Sequence, residues 1–71
     1  MISPQFKIGD ILIWPDWQII LILDVQKETY YVRILKSLGS DWKVDTCLHH
    51  MISHIDFYYK LITPLEKIKY L

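Results

Sequence analysis

Residues 11–35, ILIWPDWQIILILDVQKETYYVRIL, contain three strand-forming runs separated by short polar breaks. The middle run, Ile19–Val25, is the most telling. Ile19, Leu21, Leu23 and Val25 fall on one face of a strand, and Ile20, Ile22 and Asp24 fall on the other. Both faces are apolar for most of its length, the pattern of a strand that is central or covered on both sides. Ile11–Trp14 precedes it and stops at Pro15-Asp16, because proline has no N–H to give to a ladder. Gln26-Lys27-Glu28-Thr29 is a polar loop of common hairpin length, and Tyr30–Leu35 follows as the third strand.

Upstream, Phe6 and Ile8 alternate with Lys7 before the turn pair Gly9-Asp10. Downstream, Lys36–Asp41 with Gly39 reads as a turn, and Trp42, Val44 and Thr46 alternate against Lys43 and Asp45 as a fourth strand, Trp42–Thr46. Two readings stand open for residues 47–62. Leu48, Met51, Ile52, Ile55, Tyr58, Tyr59 and Ile62 recur at helical spacing, and Asp45 or Thr46 would cap such a helix. Alternatively the strand continues to about Met51, a tight helical turn starts at Ser53, and Tyr59–Ile62 forms a short last strand. Thr63-Pro64-Leu65-Glu66 has the form of a capping box with proline at the first helical position, so residues 63–71 read as a short C-terminal helix. A helix that short must dock to persist in water.

The stretch Phe6-Lys7-Ile8-Gly9-Asp10-Ile11-Leu12-Ile13 resembles the opening of Src-homology-3-like and Tudor-like small barrels. Tyr30-Tyr31-Val32-Arg33-Ile34-Leu35, the tryptophan of Gly39-Ser40-Asp41-Trp42, and Ile55-Asp56 ahead of Tyr58-Tyr59-Lys60-Leu61-Ile62 are also similar to that family. The resemblance spans about residues 6–62. It implies a mostly β chain: a small five-stranded Src-homology-3-like barrel followed by a short C-terminal helical segment at 63–71. Short proteins of tailed bacteriophages look similar, which implies a viral source. Fold likeness of this kind carries no activity with it.

The 71-residue length suits one domain with a thin core, since a chain of this size hides only about 60% of its unfolded surface. Yet 52% of the residues are hydrophobic, and three Trp, five Tyr and two Phe are among them. That surplus points to a second buried surface, formed with a protein partner or by self-association into a homo-oligomer. Eight basic residues balance eight acidic ones without a basic run, which disfavours nucleic-acid binding by counterion release. A single cysteine, Cys47, rules out an internal disulfide and fits a reducing cytosol. The longest apolar run is far below the roughly 20 residues of a membrane helix, and no signal peptide is visible. A cytoplasmic protein, in a host cell or a virion, without a membrane role is therefore expected.

Cys47, His49, His50 and His54 carry ligand types that suit zinc. They lack a Cys-x-x-Cys or His-Glu-x-x-His pattern, so ordinary surface or half-buried histidines are the plainer reading and no metal or other cofactor is expected. Trp14, Trp17, Trp42, Tyr30, Tyr31, Tyr58 and Tyr59 suffice for an aromatic cage, but the short Pro15–Gln18 connection favours core and interface roles instead. No nucleophile–base pair, phosphate loop or carboxylate cluster suggests catalysis, so no catalytic residue is assigned.

The expectation is a non-enzymatic interaction module, either a phage accessory or structural protein or a small inhibitor of a host protein. Trp17, Ile20, Ile22 and Tyr31 supply its anchors, Trp42 adds aromatic contact, and Arg33 and Lys43 form a polar rim. The alternative is a nucleic-acid-binding barrel in which Tyr31 and Trp42 stack bases while Arg33 and Lys43 hold phosphates.

Overall fold

The computed structural model describes residues 4–39 and 41–62. The chain forms β1 (Ile11–Trp14), β2 (Gln18–Val25), β3 (Thr29–Ser37), β4 (Cys47–Met51), a short helix α1 (Ile52–Tyr58), and β5 (Lys60–Leu61). All pairings are antiparallel, in one sheet of order β4-β3-β2-β1-β5. The protein is thus mostly β, as the alternation of residues 11–35 implies. The five strands expected for a small barrel form one sheet that does not close: β4 and β5 lie at its opposite edges and do not pair. The short C-terminal helical segment expected at 63–71 falls outside the described residues.

The β1–β2 turn follows from its residues. The Trp17 N–H donates to the Trp14 carbonyl, Pro15 sits at the second position, and Asp16 takes a left-handed φ of 64°. Proline pre-sets the first bend, and aspartate tolerates the positive φ better than a branched residue does. Leu38 and Gly39 then donate their N–H groups to the Trp17 carbonyl. Gly39 is required there, because a Cβ at that position would collide with the Asp16 carbonyl oxygen.

Two bulges shape the central pair. Ile19 pairs with Lys36 but Ile20 with Ile34, so Leu35 is extra on β3. Ile22 pairs with Val32 but Asp24 with Tyr31, so Leu23 is extra on β2. Such insertions sharpen the local twist and bend a sheet.

The fourth strand begins five residues later than the alternation of residues 42–46 suggests. Asp45 adopts φ of 70°, which breaks an extended run, and Thr46 N–H donates to the Lys43 carbonyl across a turn. The Ile34 N–H reaches the Thr46 carbonyl while the Asp45 N–H donates to the Ile34 carbonyl, so pairing starts only after this irregularity. Over 47–62 the strand, turn, strand reading is the observed one, with the helix opening at Ile52 rather than Ser53. No side chain caps α1. Its seven residues persist because Ile52 and Ile55, three apart, bury completely against the sheet.

The main core lies between one sheet face and α1: Leu12, Ile20, Ile22, Tyr30, Val32 and Ile34 meet Ile52, Ile55 and Tyr59. Ile13, Ile19 and Ile62 form a smaller cluster, edged by Ile11, Leu35 and Leu38. The face of β2 that carries Ile20 and Ile22 is therefore covered by α1, and Ile19 on the other face is buried too, while Leu21 and Leu23 stay partly exposed. Ile20 and Ile22, expected as anchors for a partner, are corrected to core residues with 0% and 1% exposure. The apolar surplus surfaces elsewhere, at Ile8, Trp42, Val44, Met51, Phe57, Tyr58 and Leu61.

Candidate functional site

Aromatic side chains from β1, its turn and α1 converge on one ledge. Trp14 stacks on Tyr58 with ring centres 4.6 Å apart and planes 19° from parallel. Trp17 leans on Trp14 at 5.5 Å, and Tyr59 meets Trp14 edge-on at 5.6 Å. His54 contacts both Trp14 and Tyr58, and Phe57 packs edge-on against Tyr58 at 4.8 Å. The ledge grades outward from wholly buried Tyr59 to Phe57, which is 79% exposed. Offset-stacked and edge-to-face pairs of this kind hold large rings in fixed orientations.

Buried polar contacts anchor the ledge from below. The Gln18 amide donates to the Tyr59 hydroxyl at 2.7 Å. Burial pushes the Tyr59 phenol above its ordinary pKa, partly offset by that donation. On the other side of α1, the Tyr30 hydroxyl donates to Asp56 Oδ1 at 2.8 Å and accepts the Phe6 N–H at 3.1 Å. Desolvation, with the Asp56 carboxylate adding to it, pushes the Tyr30 phenol to about 12.

The histidines divide between the two faces of β4. His49 projects outward and rests against Tyr31, ring centres 4.8 Å apart. His50 projects inward and stacks on His54 at 5.4 Å with planes 9° from parallel. Face-to-face imidazoles do not converge their nitrogens on a shared point, so this pair is poorly shaped for chelation. Among the described residues no group of three or more His, Cys, Asp or Glu could hold a metal ion. His50 Nε2 is buried without a hydrogen-bond partner. Burial, and then the nearby His54, lower the His50 pKa below 6.5.

The residues singled out from sequence do not form one site. Trp17 belongs to the ledge. Tyr31 is half-buried on the far stretch of β3: Trp17 bonds just past Ser37, six residues or about 20 Å along the strand from Tyr31. Arg33 is exposed and paired with Asp45 at 2.8 Å, which cancels its charge locally. Trp42 and Lys43 are exposed in the irregular segment before β4. A phosphate-holding pair of Arg33 and Lys43 thus has an acidic group already seated on one member. Sequence reasoning passed over the helix residues Phe57 and His54 as contributors. The signal for His54 was its i, i+4 spacing from Tyr58, which faces both toward Trp14 once α1 is known to be a helix, and that spacing does not extend to Phe57.

No family model matches the chain, and neither a curated protein nor a solved structure does. Among the described residues no helix is long and apolar enough to cross a membrane.

Proposed function

We propose that the chain is a non-enzymatic protein–protein interaction module whose binding surface is the ledge of Trp17, Trp14, Tyr58 and Phe57. One observation carries this reading: Phe57 and Tyr58 are exposed at 79% and 44% although Tyr58 is held against Trp14 in a fixed stack. Large rings kept rigid at the surface lose little entropy on binding, which is why aromatic residues dominate interface hot spots. The matching partner surface is apolar with hydrogen-bonding groups at its margin, to meet the Tyr58 hydroxyl.

A Src-homology-3-like scaffold is part of the same proposal. The placement of β5 beside β1, and a short helix between β4 and β5, support it. A viral accessory protein or a small inhibitor of a host protein is the setting that the resemblance implies for such a module.

The test is quantitative capture from lysate with the wild-type chain, Phe57→Ala, Tyr58→Ala and Trp42→Ala side by side. A partner held by wild type and Trp42→Ala, but lost by roughly tenfold or more in the two ledge variants, supports the reading. A partner retained equally by all four refutes the ledge.

A further inference from the structure

The two edges of the sheet are unlike. β5 is two residues long and carries Lys60, features that discourage pairing with another strand. β4 is five residues long, Cys47-Leu48-His49-His50-Met51, and contains no Lys, Arg, Asp, Glu or Pro. Its hydrogen-bond phase is set at both ends. Ile34 N–H donates to Thr46 at one end and Ile52 N–H donates to Glu28 at the other, both on the β3 side. The residues paired with β3 by hydrogen bonds are therefore the even ones, Leu48 and His50. Cys47, His49 and Met51 aim their N–H and C=O groups at the open edge, and their side chains are exposed.

We infer that β4 is a self-assembly edge: a second copy of this chain pairs antiparallel with it, about a two-fold axis at His49. In that register the His49 residues of the two copies exchange both backbone hydrogen bonds. Cys47 then faces the copy's Met51, setting a small side chain beside a long flexible one. No charged side chain within β4 opposes a like charge, the condition under which cross-strand pairing is not penalised. The contact is isologous and closes on itself, so it ends at a dimer rather than a fibre. The product is one continuous sheet bounded by the two short β5 edges. The outward residues Cys47, His49 and Met51 are not among those of the aromatic ledge, so the inference holds whether or not the ledge binds a partner.

The experiment is light scattering across a concentration series on the full chain, with four proteins: wild type, two variants at His49, and Phe57→Ala. Wild type is expected to shift from monomer to dimer as concentration rises. His49→Pro removes an N–H that already points away from β3, so it keeps the monomer fold, judged by circular dichroism, and weakens dimerisation by tenfold or more. His49→Cys in a Cys47→Ser background is expected to give a covalent dimer on mild oxidation, because residues facing each other across such a pair lie within disulfide reach. Amide exchange at His49 adds a readout independent of folding: protection that rises with wild-type concentration supports the inference. A wild-type chain that stays monomeric at every concentration overturns it. So does a dimer untouched by His49→Pro but dissolved by Phe57→Ala.

Discussion

The Tyr30 hydroxyl on β3 donates to the Asp56 carboxylate on α1 across 2.8 Å, tying the helix to the sheet at a fully buried ring. The same oxygen accepts the Phe6 N–H, and Asp56 Oδ2 accepts the Gln5 N–H at 3.3 Å. One contact therefore fixes three separated parts of the chain: the lead-in, the central sheet and the helix that carries half of the ledge.

Tyr30→Phe is expected to destabilise the fold by about 1–3 kcal/mol, because it leaves the Phe6 N–H and the Asp56 carboxylate short of a partner. Urea titration at neutral pH measures this. The wild type also has an alkaline signature. Its folded-state phenol titrates near 12 against an ordinary 10, so the contribution is fully present below pH 10 and disappears as pH rises toward 12. Tyr59, also raised, adds loss of the same sign. Tyr30→Phe should flatten the greater part of that alkaline slope.

His50 produces the opposite limb. Its folded-state pKa lies below 6.5, so the unfolded chain binds the proton more readily as the solution is acidified. Stability is complete above about pH 6.5 and declines as pH falls through the folded-state value. His50→Phe keeps a ring against His54 without a titrating nitrogen, and the thermal midpoint should then vary less between pH 7 and pH 5 than in wild type.

Gly39→Ala is expected to cost about 1–3 kcal/mol, since the added carbon meets a backbone carbonyl of the β1–β2 turn that cannot swing aside. Gly9→Ala makes a useful contrast. Its φ of 93° strains any side chain, yet nothing lies within 4 Å of the added carbon. A loss nearer 1 kcal/mol is expected from the backbone strain alone. Thermal unfolding of both variants distinguishes collision from strain.

Arg33→Ala should change stability by less than about 1 kcal/mol despite the short ion pair with Asp45, because both side chains are largely exposed and water screens them. A double-mutant cycle with Asp45→Ala isolates the coupling. A value above 2 kcal/mol would contradict this account of the pair.

Legibility varied along the chain for definite reasons. β1, β2 and β3 were readable because period-two alternation and the proline stop act locally, and each appears within a residue or two of its expected bounds. Residues 42–46 misled because Trp42, Val44 and Thr46 alternate as strand residues do, while the left-handed Asp45 is set by where the chain must meet Ile34. The ledge was half legible. Trp14, Trp17, Tyr58 and Tyr59 stood out as large aromatics, but their convergence needs β1 and α1 to be neighbours, and those elements are some forty residues apart in the chain.

Alternation and turn chemistry were enough to specify a β-rich chain, its first three strands and an apolar excess, since those properties depend on neighbours a few positions away. Which side of β2 met solvent was another matter. Ile20 and Ile22 looked available to a partner until α1 was laid over them, because burial depends on what distant segments cover. The same long-range closure leaves β4, among the described residues, at an edge of the sheet and keeps Phe57 and Tyr58 in the open.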